Sequence, residues 1–332
     1  MIAVVGAGVM GLAAARALAR EGHAVVVYEQ CQVGHTRGSS HGRSRIVRLA
    51  YPDVEFVRLA EESMRGWREL EAESELLLEL YGLLELVEDA AQSSEYALEA
   101  CGVEHELLSA EEARARWPIG VPENWTVLVQ PEAGIVRADL ALKALLDSAA
   151  RHGAELREGT RVESLVDVQA DAVVVTAGAW GRDLLAPSGI ELPVRATRET
   201  LAYFRRDAEP LPSIVQLDPA TRGHAMYSLR DPRHGLKVGV HHAGIETDPN
   251  DPGEPDADLL ARISEWVART YPDADPGPVE AETCLYTNTA DESFVLERHG
   301  RIVVGSACSG HGFKFAPAIG DRLAALAVEA LA

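Results

Sequence analysis

The chain opens with a short apolar run, Ile2 to Val5, followed by the glycine-rich segment GAGVMG, an alanine- and leucine-rich stretch LAAARALAR, and a second apolar run AVVVYE. Short apolar runs bounded by turn residues read as buried strands, and the longer stretch closed by Gly22 reads as a helix. Residues 2–29 are therefore expected to form strand, tight turn, helix, strand. A helical pattern rich in Glu, Leu and Arg is expected over 54–80, and another over 140–152. The text between 83 and 145 is mixed and broken at WPIGVPENW. DAVVVTAGAW (171–180) reads as a buried strand entering a glycine turn, and 186–284 reads mostly as short alternating strands such as LAYFRR and GLKVGVHH. RIVVGSAC is another buried strand, feeding an SGHG turn and a last helix with Ile319, Leu323, Leu326 and Ala330 on one face.

The nucleotide-type elements recur far apart, so the expected fold is α/β with one discontinuous lobe and a second lobe built from the insertions. The first lobe, Rossmann-like, is expected from 1–80, 146–185 and 285–332. The second, on a mixed and largely antiparallel sheet, is expected from 81–145 and 186–284.

The balance of 31 basic against 52 acidic residues gives a formal charge of −21, which disfavours nucleic acid and anionic membrane as partners. The same charge makes any cluster of cations stand out as a local anion site. No leader and no stretch of about 18 apolar residues is seen, so a cytoplasmic protein is expected. Cys31, Cys101, Cys284 and Cys308 show no CxxC spacing, which argues against zinc and against a disulfide framework; no metal is expected.

GAGVMG sets Gly6, Gly8 and Gly11 between strand and helix, with Glu29 at the end of the next strand. Such a turn lets the backbone approach a pyrophosphate at a helix N-terminus, and the acidic residue accepts hydrogen bonds from a ribose. The motif does not separate FAD from NAD. A second strand-turn at Ala177 and Gly178, after a long insertion, and a late helix behind SGHG favour the longer cofactor, because NAD would leave that helix without a ligand.

With these blocks in hand, the chain resembles the monomeric sarcosine oxidase and N-methyltryptophan oxidase family of flavoenzymes, within the wider D-amino acid oxidase-like group. The resemblance lies in GAGVMG with Glu29, GSSHGRSRIVRLAY (38–51), GLKVGVH (235–241), CLYTNTADESFVLERH (284–299) and CSGHGFKFAPAIG (308–320). It implies FAD, oxidation of a secondary or N-methyl amino acid to an imine, reoxidation by O2 and a monomer. Carried over by position, it implies that Cys284 bonds covalently to the flavin. Arg48 and Lys314 match the pair that holds the substrate carboxylate. Arg45 and His41 match residues close to the flavin, Lys237 the lysine linked to oxygen activation, and His241 and Tyr286 residues on the substrate side. Ser40, Gly310 and Gly312 fall within the matched blocks and are expected at the cofactor. No block matches over 81–145 or around 205–230.

The residues themselves are compatible with these roles. In GLKVGVH, alternation puts Lys237 and His241 on one strand face with Gly239 between them, leaving Leu236, Val238 and Val240 to pack inward. Arg45 and Arg48 are three apart and share a face if the segment turns helically, and an arginine fork suits a carboxylate. Cys284 and Tyr286 share a face if extended; Cys308 is the rival candidate for the flavin, and Cys31 and Cys101 are expected to be inert. His311 fits a satisfied turn histidine equally well and is assigned no catalytic role. The competing readings are a flavin dehydrogenase or D-amino acid oxidase-like enzyme acting on a primary amine, an NAD(P) dehydrogenase, and a nucleotide-binding protein without catalysis.

Overall fold

The structure, a computed structural model, describes residues 1–217 and 225–332; residues 218–224, within the expected second lobe, lie outside the described residues. Its first sheet has six strands in the order Val295–His299, Ile302–Ser306, Ala172–Val175, Ile2–Val5, Val25–Tyr28, Glu155–Arg157. All neighbours run parallel except the edge strand Val295–His299. These strands are apolar on both faces because helices or loops cover both. Ile2 and Val4 face a core shared with the helices Val9–Arg20, Ala138–Arg151 and Ala316–Glu329, while Ala3 and Val5 face Leu165, Leu185 and Ile190.

The second sheet has nine strands in the order Ile245–Glu246, Arg195–Arg205, Gly235–Val240, Met226–Asp231, Ser213–Leu217, Leu83–Val87, Thr126–Gln130, Glu106–Ser109, with Glu280–Asn288 also paired to Arg195–Arg205. It is antiparallel except where Ser213–Leu217 meets Leu83–Val87. A small third sheet joins Arg45–Val47, Gly134–Val136 and Leu78–Glu79. This is the α/β architecture expected, a parallel sheet of nucleotide-binding type beside a mixed and mainly antiparallel one. Among the described residues no helix is long and apolar enough to cross a membrane.

Three local expectations are corrected. The helical pattern assigned to 54–80 ends at Ala72, and Leu78–Glu79 is already a strand. The segment assigned to alternating strands contains a 14-residue helix, Ala257–Thr270, whose N-cap Asp256 accepts from Asp258 and Leu259 and whose Ile263, Trp266 and Val267 are buried. Lastly, Arg45–Val47 is a strand rather than a helical turn, so Arg45 and Arg48 do not share a helix face. They reach the same cavity by separate routes.

Candidate active site

A cavity of about 730 Å³ runs between the two large sheets, from Glu29 and Thr160 at one end to Lys314, His241 and Tyr286 at the other. The glycine turn forms its floor at the first end. Gly6 takes φ +101°, and a Cβ on Gly11 would lie 1.9 Å from the Gly6 oxygen, so only glycine permits the helix Val9–Arg20 to start this close to the strand. Glu29 is 5% exposed; its two carboxylate oxygens accept from the Ala7 and Cys31 N–H groups at 2.8 and 2.9 Å. A carboxylate has further acceptor capacity beyond these two bonds, and Glu29 lines the cavity, where a ribose hydroxyl would donate. Ser40 accepts from the Val9 N–H at 3.1 Å, which brings the GSSHG loop across the helix mouth. Ala177 and Gly178, at a 3-10 turn, line the same region.

The far end is rich in cations. Arg45 donates to the Ser39 and Ser44 carbonyls and lies over the Phe313 ring, 5.7 Å from its centroid. Lys237 is 2% exposed, with burial and then the charge of Arg45 pushing its pKa down to about 7. His41 is held at about 4 by burial and by Arg45, and is therefore neutral. Leu236, Val238 and Val240 pack into the second core, as their alternation requires.

Beyond these lie Arg48 and Lys314. Arg48 stacks on Tyr51 at 4.5 Å and stands 3.8 Å from the buried carboxylate of Glu85. Lys314 donates to the Tyr51 hydroxyl at 2.9 Å and the His311 carbonyl at 2.8 Å, and burial followed by Arg48 lowers its pKa well below the ordinary lysine value. Two basic side chains sharing one buried pocket are chemically suited to hold an anion such as a carboxylate. His241 and Tyr286 stand across from them, 3.5 Å apart between Nδ1 and the hydroxyl. Gly310, at φ +73°, lies so close to this pair that a Cβ would sit 2.2 Å from the Tyr286 ring and 2.5 Å from that of His241.

Cys284 and Cys308 both line the cavity. The Cys284 thiol is buried and contacts the Ser39 and Leu285 carbonyls at 3.9 and 3.7 Å. Burial raises its pKa, and Arg45 and Lys237 oppose that rise. Cys308 is only partly buried, and its sulfur accepts from the Thr287 N–H at 3.4 Å. His311 is hydrogen-bonded to the Tyr51 hydroxyl and the Glu292 carbonyl, as a satisfied turn histidine would be.

Tyr51, Tyr227 and Glu85 also line this end and were not singled out in the sequence. Tyr51 closes the quoted block RSRIVRLAY, but Tyr227 and Glu85 lie in the unmatched stretches, where no spacing marks them.

The low pKa of Lys237 fixes the sign of a pH effect. Between about 7 and the ordinary value of 10.5 the unfolded chain holds this proton and the folded chain does not, so stability rises with pH across that window and is lost as pH falls toward 7. Lys314 acts in the same direction. Cofactor-free protein is expected to gain of order a few kcal/mol from pH 7 to 9, and Lys237→Met is expected to remove part of the gain. Denaturant midpoints at several pH values measure it; identical slopes for both proteins would remove the buried-ammonium account.

The fold and the site define an FAD-dependent oxidoreductase. The model of the family described as FAD dependent oxidoreductase matches residues 1–326, and the chain belongs to that family. It is 35% identical to human peroxisomal sarcosine oxidase, over 98% of this chain and 91% of the relative, and 30% identical to monomeric sarcosine oxidase of Bacillus sp. (strain B-0618), over 98% and 92%. Among solved structures it is similar to NikD, an unusual amino acid oxidase of nikkomycin biosynthesis, with a TM-score of 0.87, 28% identity and coverage of 99% of this chain and 93% of that one.

Proposed function

We propose that this enzyme oxidises the C–N bond of a small secondary amino acid, N-methyl or cyclic, to an imine and passes the electrons to O2 as hydrogen peroxide. The observation that carries the reading is the pair Arg48 and Lys314 at the end of a cavity whose other end holds Glu29 and the glycine turn. The glycine cradle, the buried carboxylate and the cations near its centre fit FAD. When bound, FAD supplies the acceptor for a hydride from the carbon beside the amine nitrogen.

The protein contributes position and charge. Arg48 and Lys314 grip the substrate carboxylate. His241, neutral because burial and then His242 lower its pKa well below the ordinary value, and Tyr286, whose hydroxyl burial keeps protonated, offer uncharged polar contacts to the amine side. Since His241 and Tyr286 are both uncharged, the amine must arrive neutral, so turnover rises with pH through the amine's own titration. Lys237 sits next to Arg45 and Cys284, where an anion formed from O2 draws a proton onto Nζ. The −21 charge supports a monomer, which we place in the cytoplasm.

A panel of sarcosine, N-methyl aromatic amino acids, proline, pipecolate and glycine, followed by peroxide release and bleaching of the flavin, tests the substrate class. Turnover of glycine alone would replace the secondary-amine reading. Bleaching without peroxide would make the enzyme a dehydrogenase.

We also propose that Cys284 is the covalent anchor of the flavin, supported by its burial against the GSSHG loop and beside two cations. Acid precipitation of the native protein is expected to leave the yellow colour with the polypeptide, and the same treatment of Cys284→Ser to release it. Colour that stays with Cys284→Ser but leaves with Cys308→Ser would transfer the role to Cys308.

A further inference from the structure

One neighbour of Lys237 has no part in the reaction above. Glu282 stands two positions before Cys284 in the strand Glu280–Asn288, so Glu280, Glu282, Cys284 and Tyr286 follow one another on one strand face. Its Oε1 lies 4.0 Å from Lys237 Nζ, its Oε2 lies 3.8 Å from His41 Nε2, and the Tyr203 hydroxyl donates to it. Lys237 lines the large cavity whereas Glu282 does not, yet the Glu282 side chain keeps 24% of its surface exposed. Two positions along the strand, Glu280 contacts Arg43 and His234 at 3.2 and 2.8 Å. A single, partly exposed carboxylate thus joins the buried amine to solvent.

The chemistry needs such a link. A hydride carries two electrons and one hydrogen nucleus, whereas reduction of O2 to H2O2 takes two electrons and two protons. The second proton is matched in the overall balance by the one the amine nitrogen gives up as the imine forms, but that one is released at the substrate, so a path between Lys237 and water supplies a proton where O2 is reduced. Lys237 is flanked by Arg45, Glu282, Cys284, Asp231, His41 and Tyr203. Arg45 opposes its charge; Glu282 is the nearest carboxylate and favours it.

We propose that Glu282 is the positioning residue that favours the charged form of Lys237 and returns its proton from solvent. The inference rests on the role of Lys237 in oxygen reduction. In the step, an N–H bond of Lys237 breaks as an O–H bond of peroxide forms, the electrons coming from the reduced cofactor. Glu282 then passes a proton to Nζ and regains one from water. One side-chain rotation or one bridging water spans the 4.0 Å gap.

Glu282→Gln keeps the shape and the Tyr203 contact and removes the charge. The primary readout is the lysine Nζ titration followed by NMR of the isotope-labelled, oxidised holoenzyme without substrate, assigned with Lys237→Met. Its midpoint is expected to fall by about one pH unit or more in Glu282→Gln and to return most of the way in Glu282→Asp. In the holoenzyme, reoxidation at pH 7–8 is expected to slow about tenfold in Glu282→Gln, with reduction and KM within about twofold, and to stay within about threefold of wild type in Glu282→Asp. An unchanged Lys237 midpoint in Glu282→Gln overturns the proposal, as does equal slowing in Glu282→Gln and Glu282→Asp. A Lys237→Met enzyme reoxidised at the wild-type rate overturns instead the oxygen-reduction reading, and that failure is separate because the titration tests the Glu282–Lys237 coupling without turnover.

Discussion

Lys237→Met is expected to slow reoxidation of the reduced enzyme by about 10²–10³, the usual loss when a preorganised charge is removed from a dry site, while flavin reduction stays within a few-fold of wild type. The separation follows from position. Lys237 stands beside Arg45, Cys284 and Glu282, and its Nζ lies 5.5 Å from the centroid of the Tyr203 ring, whereas the pair proposed to hold the carboxylate is Arg48 with Lys314 around Tyr51. Methionine matches the length of the side chain and belongs in an apolar environment, so the Phe204, Leu236 and Val238 core behind it is not opened. Stopped-flow absorbance resolves the two half-reactions, reduction without oxygen and reoxidation on mixing with it. Equal slowing of both would mean that the substitution disturbs cofactor seating, and the assignment to oxygen would fail.

The parts of the molecule that were legible in the sequence are those whose signal is local. Strand, glycine turn, helix and Glu29 sit within one 28-residue unit, and each element's pattern agrees with its neighbours; the structure reproduces them from Ile2 to Tyr28. The alternation in GLKVGVH placed Lys237 opposite a packed apolar face in the same way. The helix Ala257–Thr270 was also signalled, by Asp256 ahead of apolar residues at helical spacing, and was hidden by the strand-like text on either side. For Arg45 and Arg48, a spacing of three fits a helix, but β-branched Ile46 and Val47 favour the strand that pairs with Gly134–Val136. What the sequence did not show is non-local. The pairing of Cys284 with Glu199 and of Leu201 with Glu282 joins segments more than 80 residues apart, and through it Glu282 reaches Lys237. No local pattern encodes such a register.

Loss of the proposed carboxylate receptor is expected to have the other large effect. Arg48→Ala should lower kcat/KM for an N-methyl amino acid by about 10²–10³, corresponding to the few kcal/mol lost when one partner of a buried charged pair is removed. Lys314→Met should lose a similar amount, since Lys314 is 8% exposed and its ammonium has been desolvated in advance of the anion. The two losses should not add. Once one cation is gone the carboxylate is held at a single point, and the alignment of its neighbouring C–H with the acceptor is already lost. Both kcat and KM should move, because the same contact binds the substrate and orients it. An amine lacking the carboxylate provides the discriminating control: it should be a poor substrate of the wild type and lose less than about threefold in either variant. Stability is a separate readout, since Arg48→Ala leaves Glu85 with the Ser94 backbone and hydroxyl as its hydrogen-bond partners among the described residues, whereas Lys314→Met removes a buried amine with lowered pKa and should raise the denaturation midpoint of cofactor-free protein at neutral pH. A variant more stable and yet unable to bind the amino acid would locate the role of Lys314 in the ligand; wild-type KM for the N-methyl amino acid in Lys314→Met would place the substrate carboxylate elsewhere in the cavity.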